Sequence, residues 1–186
     1  TMLVLMLLTL FVDDAAVRAI ELSGGSVYTT QTRDGSISSV RLRLINDVQL
    51  QKLPLSDFMD GRLTILETII TDRGLQALRG TGFKTLLIGY GNKYITFEGV
   101  VQATQEMPQL KELLLQGPKG DLGKLSTLNL TKLNLVGPTY TDEDIMGAAK
   151  LSTLTRLMLV ETKVSPEVLE KLKLALPNTE VIVPKD

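Results

Sequence analysis

The chain has 186 residues, 44% of them apolar, and a formal net charge of −1. That is the size of one domain, with ample material for a core. Near-neutral charge and unclustered Lys and Arg argue against nucleic acid as a partner. The lack of Cys and His removes disulfides, thiolate chemistry, the Ser-His nucleophile arrangement and the usual zinc ligands.

Residues 2–11, Met-Leu-Val-Leu-Met-Leu-Leu-Thr-Leu-Phe, are apolar and uncharged. A membrane span needs about 20 such residues. The run is therefore too short to cross a bilayer, and its length suits a signal-peptide core or an anchor. A strand or helix packed on the first coil is the other reading. With residues 1–12 as an apolar leader or anchor remnant, membrane association through residues 2–11 stays open. A secreted, periplasmic or membrane-anchored location is then favoured over a cytoplasmic one.

Asp14 to Leu22 has the pattern of a helix, and Gly24-Gly25 ends it. Val27 to Thr32 and Ser36 to Arg43 are predicted strands, and Asp34-Gly35 between them is a hairpin signal. Residues 13–39 are expected to cap the N-terminal end, and residues 40–186 to form a repeat domain.

From Val40 onward one signature returns. Its second aliphatic position falls at Leu42, Ile65, Ile88, Leu115, Leu135 and Leu159, at intervals of 23, 23, 27, 20 and 24 residues. Another 24 residues reaches Val183 in the closing run Val181-Ile182-Val183. A period of that length means stacked strand–helix coils, none of which buries its apolar face alone. Alternation along each strand sends Leu63 and Ile65, Leu86 and Ile88, and Leu113 and Leu115 into the core. Thr68, Asn92 and Thr162 turn the chain, with side chains suited to bond the backbone at the bend. Helices are expected to start at Thr71, Thr96, Thr141 and Ser165. Thr141 has Asp144 three residues on, close to a capping box, and Ser165 is followed by Pro166. Leu75 and Leu78, then Val100, Ala103 and Met107, then Val168, Leu172 and Ala175 form the apolar helix faces. The coil after Leu42 lacks a clear helix start, and the coil after Leu115 has Gly117 to Gly123 in place of a Thr-Asp turn.

These copies are Phe83-Lys-Thr-Leu86-Leu-Ile88, Leu110-Lys-Glu-Leu113-Leu-Leu115, Leu130-Thr-Lys-Leu133-Asn-Leu135 and Leu154-Thr-Arg-Leu157-Met-Leu159, with the turn Ile70-Thr71-Asp72-Arg73-Gly74-Leu75. Together they resemble the leucine-rich repeat family, in its bacterial variety with repeats of about 24 residues. The resemblance covers roughly Val40 to Val183. It implies an α/β fold: a right-handed solenoid of about six strand–helix coils with a parallel sheet on the concave face. It also implies a chain that binds rather than catalyses.

Two Gly-rich stretches fail as phosphate sites. In Gly117-Pro-Lys-Gly-Asp-Leu-Gly123-Lys124-Leu125, Pro118 and Leu125 occupy the places where a phosphate loop needs Gly and Ser or Thr. In Gly89-Tyr90-Gly91, the third Gly of a dinucleotide loop is replaced by Tyr94. Both are expected to be turns leaving a strand. The acidic run Asp142-Glu143-Asp144 lacks the spacing of a calcium loop and suits a helix start. No cofactor and no metal are expected.

The residues between the core aliphatics point the other way, onto the open face of the sheet. The candidate partner-binding set is Arg41, Arg43, Leu66, Leu87, Tyr90, Leu114, Gln116, Asn134, Val136, Met158 and Val160. Its centre is apolar, as interaction surfaces often are, while Tyr90, Arg41 and Arg43 are residue types that anchor interfaces. A register slip of one residue would exchange the inner and outer sets. The expected function is a non-catalytic module that binds another protein through the strand face. The alternative is a structural subunit of an envelope or membrane-associated assembly, held by residues 2–11.

Overall fold

Successive side chains of a strand point to opposite faces, and an aliphatic at every second position of each strand sets the face that is dry. The computed structural model describes residues 13–32 and 35–184. In chain order the elements are α1 (Asp14–Leu22), β1 (Ser26–Thr32), β2 (Gly35–Arg43), α2 (Asp47–Lys52), β3 (Arg62–Leu66), α3 (Asp72–Leu75), β4 (Thr85–Ile88) and α4 (Phe97–Thr104). They continue as β5 (Glu112–Gln116), β6 (Lys132–Val136), α5 (Asp142–Met146), β7 (Arg156–Val160), α6 (Pro166–Ala175) and β8 (Glu180–Ile182). Short 3-10 turns extend α3 and α5, and one at Leu122–Leu125 stands in for a helix between β5 and β6. The readings made on residues 2–11, and the tip of the hairpin at residues 33 and 34, lie outside the described residues.

The strands form one sheet in chain order, antiparallel between β1 and β2 and parallel from β2 to β8. Leu42 pairs with Ile65, Ile65 with Ile88, Ile88 with Leu115, Leu115 with Leu135, and Leu135 with Leu159. All six side chains are fully buried. A second row, Val40, Leu63, Leu86, Leu113, Leu133 and Leu157, lies beside it and is equally dry. The intervals of 27 and 20 residues are absorbed outside the strands, which keep one register throughout. β2 belongs to both parts of the sheet, antiparallel to β1 and parallel to β3. α1 packs beside β1 through Ala16 and Ile20.

Helix starts knit successive coils together. Asp47, at the first position of α2, accepts from the Thr71 N–H and hydroxyl of the next coil, both at 2.7 Å. Asp72, at the same position of α3, accepts from Thr96 N–H at 2.8 Å and Thr96 Oγ1 at 2.6 Å. Asp142 of α5 accepts from the Ser165 N–H at 2.8 Å, and that bond holds its carboxyl below the usual range. Room for these carboxylates comes from glycine. A Cβ on Gly74 would fall on the Asp47 carboxylate, and one on Gly99 would fall on that of Asp72. Where Phe97 replaces the aspartate, its ring lies against Gly120 instead.

Three sequence readings are corrected, on the start of α2, on Ala175 and on Thr162, and the Gly-rich coil is a turn as expected. The coil after Leu42 does have a helix start: Asn46 caps α2, with Asn46 and Gln49 bonded reciprocally at 3.0 Å. The Gly-rich coil after Leu115 starts its turn on Asp121, which accepts from Gly123 N–H at 2.8 Å. Ala175 is exposed, and Leu176 takes the buried place expected for it. Thr68 and Asn92 behave as turn residues, Asn92 bonding Thr68, Ile65 O and Gly89 O, whereas Thr162 Oγ1 is buried with no partner among the described residues.

Candidate interaction surface

The face of the sheet turned away from the helices is built from the second residue set of each strand. Arg41, Thr64, Leu87, Leu114, Asn134 and Met158 form one row across it. Arg43 and Leu66 begin the next, which Gln116, Val136 and Val160 continue. Across β3 to β7 these side chains are half-buried: they flank one another, but no layer of helices covers them. Gly89 interrupts the second row, and the Leu66 side chain leans into the space it leaves.

A cleft of about 420 Å³ opens on this face. Leu66, Leu87, Leu114 and Val136 line it with Gln116, and Tyr28, Tyr90, Arg41 and Arg62 stand among its walls. Both tyrosines are about half exposed, at 55% and 51%. The Arg41 guanidinium carbon sits 5.7 Å from the centroid of the Tyr28 ring, a cation–π distance that orients the arginine. Among the described residues, no carboxylate lines the cleft.

Of the sequence-predicted set, the cleft gathers Arg41, Leu66, Leu87, Tyr90, Leu114, Gln116 and Val136. The other four lie on the same face outside it. Arg43 is ion-paired to Glu67, which holds its guanidinium above the ordinary value. Asn134 lies between Leu114 and Met158 in its row, with a buried Oδ1 that has no partner among the described residues. Met158 and Val160 sit on β7, beyond the cleft. Tyr28, Ser39 and Arg62 line the cleft but were absent from the sequence set. Tyr28 faces Ser39 across the antiparallel pair, and Ser39 pairs with Arg62, so the three share one row. That row was legible once the hairpin was predicted, because the inward positions Val27 and Val40 place Tyr28 on the outer side.

The acidic run acts in helix starts. Thr141 caps α5 and exchanges bonds with Asp144, and Asp142 holds the next coil. Among the described residues, no group of three or more carboxylates, His or Cys is placed to hold a metal ion. No described helix is long and apolar enough to cross a membrane.

No protein-family model matches the chain, and no curated protein matches it. Among solved structures, internalin C2 from Listeria monocytogenes is similar, with a TM-score of 0.53 over 95% of this chain and 88% of that one. Internalin C2 is a leucine-rich repeat protein. This chain has a fold of that kind. The two sequences are 17% identical, so the likeness is one of fold alone. On a leucine-rich-repeat-like fold, the open strand face is the broad surface that helices leave uncovered.

Proposed function

We propose that this chain is a non-catalytic interaction module that binds another protein through the open face of its sheet. One observation carries the reading: four aliphatic side chains, Leu66, Leu87, Leu114 and Val136, line a cleft on the side that the core does not use. The inward rows already bury the aliphatics that hold the fold together. Apolar groups gathered on the other side are half-buried, and gain the rest of their burial from something that docks there. Aromatic and Arg side chains at the margin are the types that carry binding energy in interfaces.

The reading takes residues 40–186 as a right-handed array of about six coils, in line with the handedness rule for parallel crossovers. α1 and β1 act as its N-terminal cap. β1 pairs along β2 as far as Arg41, covering most of what would otherwise be an open edge. A partner would bury about 800 Å² on this chain.

The test is exchange of Leu87 and Leu114 for Glu, followed by pulldown from native lysate. Partner recovery is expected to be lost while circular dichroism stays that of the parent chain. Full recovery by a folded double variant would remove this face from consideration.

A further inference from the structure

The charges around the cleft are one-sided. Arg41 and Arg62 stand at its β2–β3 end, and among the described residues the lining contains no carboxylate. Neighbouring charges are taken up elsewhere: Arg43 by Glu67, and Lys84 by Asp60 at 2.9 Å. Glu112 accepts from Thr85 Oγ1 at 3.4 Å and lies outside the cleft. Among the described residues, neither Arg41 nor Arg62 is in an ion pair. Ser39 pairs with Arg62 and Arg41 pairs with Thr64, so the two arginines are diagonal neighbours on adjacent strands. An anion docked over both arginines would meet two like charges on neighbouring strands at once. The chain as a whole has a net charge of −1, so this positive field is local.

We infer that the partner supplies an acidic–aliphatic segment, with carboxylates over Arg41 and Arg62 and apolar side chains over Leu87, Leu114 and Val136. This rests on the interaction-module reading and assigns the chemistry of what docks. Guanidinium forks match carboxylates in geometry, and a pair formed beside apolar walls is screened less than one in open solvent. Tyr28 holds Arg41 by its ring face, so less side-chain freedom is lost when a carboxylate arrives. From β2 to β6 there are four strand steps of about 4.8 Å each, or roughly 19 Å. An extended peptide covers that in about six residues. The segment therefore has direction: acidic residues at one end and aliphatic residues through the other.

The experiment pans a display library of random 12-residue peptides against the full chain. Selected peptides are then synthesised, and their affinities are measured by fluorescence anisotropy. The expected motif pairs Asp or Glu with Leu, Ile or Phe a few positions away. Affinity should fall on the order of tenfold or more on an Arg41→Glu/Arg62→Glu variant, on a peptide with Asn and Gln in place of Asp and Glu, and in high salt. Leu87→Glu should also abolish it. An Arg41→Gln/Arg62→Gln variant serves where charge reversal disturbs the circular dichroism spectrum. Peptides that need Leu87 yet show no acidic enrichment and ignore the arginine variants would overturn the acidic partner and leave the binding face standing. Peptides indifferent to Leu87, or no enrichment at all, would overturn both.

Discussion

A single carbon with its hydrogens separates glycine from alanine at position 99, and that carbon has no room. Asp72 reaches from the preceding coil to bond the Thr96 N–H and hydroxyl, and its carboxylate occupies the space that a Gly99 Cβ would take. Alanine usually stabilises a helix over glycine by about 0.5–1 kcal/mol. Here Gly99→Ala is expected to destabilise by about 1–3 kcal/mol, because two inter-coil hydrogen bonds must yield. In an Asp72→Ala background the same change should become neutral or stabilising, a coupling that urea unfolding of the double-mutant cycle measures. Additive costs would show that Gly99 answers to something other than Asp72. The string Ile70-Thr71-Asp72-Arg73-Gly74-Leu75 was legible in the sequence as a turn into a helix. The reason for its glycine was not, because the carboxylate that needs the room, that of Asp47, belongs to another coil.

The elements divide by how local their signals are. Asn46-Asp47-Val48-Gln49 carries a capping box within four adjacent residues, so the start of α2 is encoded entirely in its own stretch of chain. The Gly117–Gly123 segment has a local cap only at Asp121, near its end, and the rest of it is fixed from a later coil. The Tyr140 hydroxyl, buried, reaches the Leu115 carbonyl at 3.2 Å and the Pro118 carbonyl at 3.0 Å, tying this irregular loop to the next strand–helix unit. Burial, with a smaller contribution from Asp144, raises the phenol above its ordinary ionisation range. A raised value means that the fold favours the neutral phenol. Its stabilisation is therefore complete below about pH 10, where a free tyrosine ionises, and is lost as pH rises beyond it. Tyr140→Phe should cost about 1 kcal/mol at pH 7 through the lost hydrogen bonds. It should also make stability fall less steeply above pH 10. Urea midpoints at pH 7 and pH 10.5 check both, and equal slopes for parent and variant would contradict the buried-phenol account.

At the scale of the molecule, the register follows from the repeat alone: every pair in the Leu42-to-Leu159 ladder is the one the spacing predicts. Uneven intervals do not disturb it, since alternation decides which residues face inward and the extra or missing residues lie between strands. The surface was legible less completely. Leu66, Leu87, Leu114 and Val136 follow from alternation, but Tyr28 comes from an antiparallel strand outside the period, and Arg62 lies one row beyond the two positions read in each strand. The same alternation makes neighbouring leucines unequal. Leu115 is fully buried in the ladder, while Leu114 is half-buried on the open face and lines the cleft. The most direct test compares the unfolding free energies of Leu115→Ala and Leu114→Ala in urea. Leu115→Ala should cost about 3–4 kcal/mol, as deletion of a core leucine does. Leu114→Ala should cost less than about 1 kcal/mol, as expected on an uncovered surface. Equal losses would mean that the second face is packed interior, with no surface left for a partner.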